Sequence, residues 1–132
     1  MSSARFEMVI PVLPGDIDEQ NHVNNTVYLR WVQDIATAHW RAVASSKSRK
    51  AIGWVVLRHE IDYKGPATLG DEVVLCTWVG EATRLTFERF TEIRRKSDGQ
   101  LLSQARTLWC PIHAQTGRPV RVSADVRAQF ST

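Results

Sequence analysis

Cysteine is scarce in this chain of 132 residues, with Cys76 and Cys110 the only two, each inside an apolar run. The chain has no C-x-x-C pair and no Cys/His spacing typical of a zinc site, so we expect neither a metal nor another cofactor. Two free, buried thiols are favoured over one disulfide. That thiol state is typical of a protein in a reducing cytosol.

Long hydrophobic runs are also missing. None approaches the roughly 20 residues that a membrane-spanning helix needs, and prolines 11 and 14 interrupt the apolar stretch near the N-terminus. We therefore expect no secretory signal, no membrane association and a cytoplasmic location.

The chain also has no strong excess of one charge. It contains 17 basic and 14 acidic side chains, which give a formal net charge of +3. So small an excess does not indicate a nucleic-acid partner, and we expect none. The positive charge is concentrated in residues 41–50 and 84–96, which suggests local surfaces that face anions. The hydrophobic content of 43% and the length predict one globular domain over residues 1–132.

The sequence does contain one strong helical pattern. Residues 5–13 predict a strand, and apolar side chains then recur at the spacing of one helical face to about residue 44. Asn24 or Asn25 is suited to cap this helix, since its side chain can accept a bond from a free amide of the first turn. The polar residues 45–50 are expected to end it.

Strand patterns fill most of the remaining chain. We predict strands at 52–63, 73–79, 85–95 and 101–113, followed by a short helix at 122–130. In the first of these, Leu57, His59, Ile61 and Tyr63 would share one face. Strands joined by short loops pair antiparallel. The pattern predicts an α+β fold with a five-stranded antiparallel sheet, one long helix across it and a short C-terminal helix, and its free edges favour dimerisation.

The chemistry is expected between residues 14 and 31, where Asp16 and Asp18 immediately precede the long helix. A helix N-terminus exposes unpaired amides that stabilise an oxyanion. A carboxylate beside it can attack a carbonyl carbon or deprotonate a water that does so. Thioesters suit such a site because a thiolate leaves readily. On spacing alone, however, an aspartate in this position is more often a turn or cap former.

The detail of this segment carries a resemblance to a known family. The pattern D-x-D-x-x-N-H-V-N-N-x-x-Y-L-x-W over residues 16–31 resembles the hotdog-fold acyl-CoA thioesterases, in the branch of 4-hydroxybenzoyl-CoA thioesterase. Residues 59–63, 66–67, 70–72 and 116–119 are also similar to that family. The resemblance implies a single hotdog domain over residues 1–132, with its sheet wrapped around the long helix and each active site at a subunit interface.

By position, Asp18 matches the family's catalytic aspartate, and the backbone amide of Asn25 would polarise the thioester carbonyl. Some relatives carry a histidine at the Asn25 position, which this chain lacks. Asn21 replaces the usual glycine before His-Val-Asn-Asn, and asparagine tolerates the left-handed backbone conformation better than most residues.

Other residues are candidates for substrate binding, each with a structural alternative. The structural alternatives are a hydrogen bond within the loop for His22, a helix cap for Asn24, and packing in the core for Tyr28 and His59. Arginines at the ends of the fourth strand could meet coenzyme A phosphates or be solvated. The candidate substrate-binding residues are His22, Asn24, Tyr28, His59, Arg84 and Arg94.

The resemblance thus implies an acyl-CoA thioester hydrolase that works as a homodimer or homotetramer and releases a carboxylic acid and free CoA. Asp18 would act as nucleophile or general base. The alternative is a hotdog protein that binds acyl-CoA or acyl carrier protein without turning it over.

Overall fold

A computed structural model describes residues 4–131. These residues form five strands and three α-helices, with a short 3-10 turn at Pro14–Asp16. In chain order the elements are β1 (Phe6–Pro11), α1 (Asn25–Val43), α2 (Ser46–Ala51), β2 (Ile52–Tyr63), β3 (Glu72–Ala82), β4 (Phe87–Arg95), β5 (Leu101–His113) and α3 (Ala124–Gln129).

The long helix α1 begins where the sequence predicts. Asn24 is its N-cap, and the side-chain oxygen accepts a bond from the amide of Thr26. Its sheet-facing side chains follow the 3–4 spacing, and the helix ends at Val43, with Ala44 already extended. The buried residues of α1 are Val27, Tyr28, Trp31, Val32, Ile35, Ala36, His39 and Trp40.

The long helix ends before the polar residues 45–50, as expected, but most of this segment then forms a second helix, α2, that the sequence did not predict. The Ser45 hydroxyl accepts a bond from the amide of Ser48 and so caps it. Three basic residues follow, and two of them, Arg49 and Lys50, stand in the last turn, where a positive charge favours the helix dipole. The segment has too few apolar residues for periodicity to reveal it.

All strand pairs are antiparallel, and the spatial order is β1-β3-β4-β5-β2. Strands β3, β4 and β5 are joined by short loops and lie side by side. The chain passes through α1 between β1 and β2, which places these two strands at opposite edges. The five-stranded antiparallel sheet, the long helix and the short C-terminal helix are confirmed.

Strand β2 departs from simple alternation. Val56 pairs with Trp109 and Arg58 with Leu108, so Leu57 is an extra residue in a β-bulge. Its side chain is 57% exposed, although the alternation placed it on the buried face with His59. The bulge shifts the register by one residue and turns Leu57 outward.

Two hydrophobic clusters lie between α1 and the sheet. The helix-start cluster is mostly aliphatic and contains Val12, Val23, Val27, Tyr28, Trp31, Val32, Ile35, Ala67, Val73, Leu75, Ile93, Leu102 and Ala105. The helix-end cluster contains Trp40, Ala44, Phe87, Val126 and Phe130, with Trp54, Val79 and Ile52 packed against it. Helix α3 supplies Val126, and Phe130 follows directly after it.

A polar row separates these clusters. Along β3, Thr77 lies between Leu75 of the first cluster and Val79 of the second. On β4, Thr91 and Arg89 likewise lie between Ile93 of the helix-start cluster and Phe87 of the helix-end cluster. The row also includes His39 from α1 and Thr107 from β5, and all five of its side chains are buried.

The thiols of Cys76 and Cys110 are free, with Cys110 buried and Cys76 half-buried. Among residues 4–131, no helix is long and apolar enough to cross a membrane. The same residues contain no group of three or more His, Cys, Asp or Glu side chains that could hold a metal ion.

Candidate active site

The loop before α1 is a tight turn held by backbone bonds. Ile17 and Val23 form an isolated β-bridge. Between them the amide of Asp18 donates to the carbonyl of His22 at 3.0 Å, and the amide of Asn21 donates to the carbonyl of Asp18 at 3.0 Å. Asn21 has a φ of 61°, so it adopts the left-handed conformation that glycine would otherwise supply.

The two aspartates of the D-x-D pair have different surroundings. Asp16 is 4% exposed, accepts a bond from the amide of Leu13 and forms an ion pair with Arg30 at 2.8 Å. Its backbone carbonyl accepts the amide of Asn24 at 2.9 Å. Asp16 therefore fixes the loop to the start of α1, and its carboxylate is fully engaged.

Asp18 is half-buried, and one oxygen of its carboxylate, Oδ1, accepts the amide of Gln20 at 2.8 Å. No described residue forms an ion pair with it or donates to Oδ2. The turn thus holds the carboxylate by its backbone and by one oxygen, and leaves the second oxygen available for chemistry.

The first turn of α1 offers one amide to a ligand. The Asn24 side chain accepts from the amide and the hydroxyl of Thr26, and the Asn24 carbonyl accepts from Val27. For the amide of Asn25, residues 4–131 supply no acceptor. The Asn25 carbonyl accepts the hydroxyl of Tyr63 at 3.2 Å. Asn24 is thus a cap, and Asn25 presents the free N–H that an oxyanion needs.

Tyr28 lies beneath this turn and is buried. Its hydroxyl accepts the amide of Ala67 at 2.9 Å and donates to the carbonyl of Gly65 at 3.4 Å. Burial raises the pKa of its phenol. The hydroxyl has both its partners within the chain, so it ties the loop after β2 to α1. Its role as a substrate contact stays a prediction.

Tyr63, at the end of β2, is a site residue that sequence reasoning missed. Its ring packs edge-on against that of Tyr28 at 5.7 Å between centroids, and its side chain is 44% exposed. The signal was present, since Tyr63 closes the stretch 59–63 that resembles the thioesterase family. Its hydroxyl holds the helix start directly beside the amide of Asn25.

The two histidine candidates lie apart from each other. His22 is exposed in the turn beside Asp18. His59 faces α1 from β2, with its Nδ1 3.0 Å from Oγ1 of Thr107 and its Nε2 3.5 Å from Nε2 of Gln33. Burial lowers the pKa of His59. Gln33 is eight residues beyond Asn25, about 12 Å along the helix, so His59 is remote from the turn of its own chain.

The two arginine candidates lie beyond opposite ends of β4. Arg84 is exposed in the loop before this strand, whereas Arg94 stands near its far end, pairing with Glu92 at 2.7 Å and donating to the carbonyl of Gly99. The strand from Phe87 to Arg94 alone spans about 23 Å. The basic segment 84–96 is therefore not one patch, and these arginines cannot hold the same phosphate.

A cavity of about 430 Å³ opens at the other end of α1. Its walls are mainly aromatic, and Arg41 and Arg49 of the basic segment 41–50 line it together with Arg89. We call it the aromatic cavity. Its large side chains are Trp40, Trp54, Phe87, Trp109 and Phe130.

Sequence comparison identifies the family. The profile of the thioesterase-like superfamily matches residues 12–130. The chain belongs to the thioesterase-like superfamily. This agrees with the resemblance in residues 16–31, and the match extends over both ends of α1 and all of β2 to β5.

Solved structures of thioesterases share the fold of this superfamily member. A 1,4-dihydroxy-2-naphthoyl-CoA thioesterase from Synechocystis superposes with a TM-score of 0.82 at 18% identity, covering 96% of each chain. A mutant 4-hydroxybenzoyl CoA thioesterase complexed with 4-hydroxybenzoyl CoA gives 0.87 at 19% identity, covering 96% of this chain and 99% of the other. The expected hotdog fold is confirmed.

Two curated relatives match over part of this chain. The chain is 28% identical over 77 residues to a chloroplastic acyl-[acyl-carrier-protein] hydrolase of Cuphea viscosissima. It is 27% identical over 82 residues to a chloroplastic palmitoyl-acyl carrier protein thioesterase of Arabidopsis thaliana. These alignments cover 58% and 62% of this chain but only 19% and 20% of the relatives.

Proposed function

We propose that this superfamily member is an acyl-CoA thioester hydrolase that releases a carboxylic acid and free CoA. The observation that carries the proposal is the pairing of two groups at the start of α1. Asp18 presents a carboxylate oxygen without a donor among residues 4–131, and Asn25 presents an amide without an acceptor there.

In the proposed reaction, the amide of Asn25 stabilises the negative charge that develops on the thioester oxygen. Asp18 either attacks the carbonyl carbon, giving an acyl-aspartyl anhydride that water then hydrolyses, or takes a proton from the water that attacks. Both routes break the carbon–sulfur bond and expel a thiolate whose conjugate acid has a pKa of about 8.5. The leaving group therefore needs little help from a general acid.

We further propose that the active form is a homodimer or homotetramer in which a partner copy completes the pocket beside Asp18. Support comes from β2, an edge strand with exposed apolar side chains at Val55, Leu57 and Tyr63. An uncovered apolar edge favours pairing with another copy. Tyr63 lies on this strand and also bonds the first residue of α1, so a partner at β2 would lie near the catalytic turn.

The test is thiol release from a panel of acyl thioesters by wild type and Asp18→Asn. Because the substitution keeps size and removes charge, we expect the rate to fall by about 10²–10⁴. Glu19→Gln, the exposed neighbouring acid, is the matched control and should keep the wild-type rate. Equal rates for Asp18→Asn and wild type would disprove the assignment.

The panel should contain acyl carrier protein thioesters beside CoA thioesters, because both curated relatives are named for the carrier protein. A binding titration of the same compounds should accompany the kinetics. Binding of acyl-CoA by wild type without thiol release would establish the non-catalytic alternative.

A further inference from the structure

We propose that the aromatic cavity is a binding site for a small organic anion with an aromatic or branched apolar body, and that Arg89 receives its carboxylate. This site goes beyond the proposed hydrolysis and does not depend on it. Three observations carry the proposal: a buried cation without a counter-ion, the charge of the lining and an excess of hydrogen-bond donors in the wall.

Arg89 is a buried cation without a counter-ion. It is 5% exposed and lines the aromatic cavity. Its Nη1 donates to Nδ1 of His39 at 2.9 Å and to Oγ1 of Thr77 at 3.0 Å, both neutral acceptors. Among residues 4–131 no carboxylate forms an ion pair with it. The guanidinium carbon also lies 5.4 Å from the centroid of the Phe130 ring, but a buried charge is costly unless it is paired, and a carboxylate would supply the missing counter-ion.

The electrostatics of the pair favour an added anion. Burial lowers the pKa of Arg89 to about 9, so the group remains charged at neutral pH. Burial and the neighbouring Arg89 lower the pKa of His39 to about 4, so the imidazole is neutral and accepts the Arg89 proton through Nδ1. The site therefore holds one uncompensated positive charge.

The lining of the cavity is cationic as well as aromatic. The lining contains three arginines, Arg41, Arg49 and Arg89, but one acid, Glu88. Glu88 already pairs with Arg106. A volume of about 430 Å³ lies within the range of roughly 300–1,000 Å³ found for small-molecule pockets. A carboxylate on a ring or branched chain matches both the charge and the walls.

The wall also holds unpaired donors. The indole N–H groups of Trp54 and Trp109 are buried, and no acceptor for them occurs among the described residues. Both side chains line the cavity. Buried indole N–H groups usually have a partner. Two donors in lining residues therefore have no acceptor among residues 4–131, although their nitrogens have almost no accessible area in the present arrangement.

The aromatic cavity is distinct from the catalytic turn of the same chain. Trp40 stands fifteen residues beyond Asn25, about 22 Å along α1. The anion has two chemical sources: a free carboxylic acid, or the far end of the acyl group of a thioester. The ligand chemistry at Arg89 is the same for both.

The decisive experiment is calorimetric titration of the full-length chain with benzoate and with benzamide, which share size but differ in charge. We expect wild type to bind benzoate at least tenfold more tightly than benzamide. In Arg89→Met the two affinities should become equal, while Arg89→Lys should keep a preference for benzoate. Equal affinities in wild type, or an unchanged preference in Arg89→Met, would overturn the proposal.

Two further variants keep the test decisive if Arg89→Met fails to fold. Thr37→Trp fills the cavity mouth from an exposed lining position, and benzoate binding should be lost. Unchanged binding would place the anion elsewhere and refute the site. Arg41→Gln/Arg49→Gln removes the outer charges and should retain the benzoate preference. Loss of the preference in this double variant alone would assign the anion to the mouth and refute Arg89.

Kinetics distinguishes the two ligand sources. If the anion is the far end of an acyl group, a 4-carboxybenzoyl thioester should react faster than a benzoyl thioester in wild type but not in Arg89→Met. If it is a free acid, the two thioesters should react alike. Asp18→Asn should bind benzoate as wild type does, so loss of hydrolysis and loss of anion binding are separate results.

Discussion

The first half of α1 packs into a cluster of mostly aliphatic side chains, whereas its second half covers an aromatic cluster that leaves about 430 Å³ open. Both halves belong to one helix and lie on one sheet. The first half begins at the turn that carries Asp18, and the second borders Arg89. The difference lies in the shape and polarity of the side chains that fill each space.

Side-chain shape explains why one half is filled and the other is open. Branched aliphatic side chains such as Ile35, Leu75 and Ile93 interdigitate closely. In the aromatic half, the rings of Trp40 and Trp54 meet at 80° and those of Phe87 and Phe130 at 88°. The filled half also has an edge-on pair, Tyr28 with Trp31 at 72°, but there branched aliphatic side chains surround the rings. One half is therefore suited to hold a loop in place and the other to admit a ligand.

The largest expected change in stability comes from truncating the filled half. Ile35 is fully buried, so Ile35→Ala should cost about 2–5 kcal/mol of unfolding free energy, from lost burial and a new cavity. Ile52→Ala is the matched variant in the aromatic half. Ile52 is half-buried and already borders open space, so the loss should be smaller. Urea denaturation measures both, and equal losses would contradict the difference in packing.

Acid should weaken the polar row that separates the halves. The pKa of His39 is lowered to about 4 from an ordinary 6.5, so between these pH values the unfolded chain binds a proton that the folded chain does not. Stability is therefore lost as the pH falls through this window, by up to about 3 kcal/mol.

His39→Gln is the control for that pH dependence, because glutamine can still accept the Arg89 bond but does not titrate. Between pH 7 and pH 4, the unfolding free energy should fall more for wild type than for the variant. His59, whose pKa burial also lowers, contributes equally to both proteins. A variant that loses as much stability as wild type would show that His39 is not the responsible group.

A smaller effect separates two tyrosines at the start of α1. Tyr28→Phe leaves the buried amide of Ala67 without its acceptor, which should cost about 1–3 kcal/mol. Tyr63→Phe removes one bond from a 44% exposed side chain and should cost about 1 kcal/mol or less. Thermal unfolding of the two variants measures which of them loses more stability. If Tyr63→Phe were the more destabilising, Tyr28 would not be the residue that holds this end together.

Local patterns in the sequence predicted much of the fold. The start of α1 follows from the Asn24 cap, and β5 has the predicted bounds of 101–113. The bulge at Leu57 was not predictable in this way, because an extra residue in one strand depends on its partner strand. Helix α2 was missed because serine capping and charge, rather than apolar periodicity, define it.

The candidate site was predictable only in part. The turn that holds Asp18 and the exposed amide of Asn25 follow from a short contiguous motif. The aromatic cavity is assembled from six elements and the chain after α3, which no local pattern brings together. Arg89 did have a signal, since it alternates with Phe87, Thr91 and Ile93 on one face of β4. The net charge of residues 84–96 alone predicts a surface position for Arg89 and hides this alternation.

The polar row has a consequence for how such a chain can change over time. Ile35 and Trp40 are five residues apart on α1, yet they belong to clusters separated by His39, Arg89 and Thr77. Substitutions without shared neighbours act nearly additively. Replacements among the aromatic side chains can therefore accumulate without disturbing the turn that carries Asp18. The row makes the two ends of one small core separately evolvable.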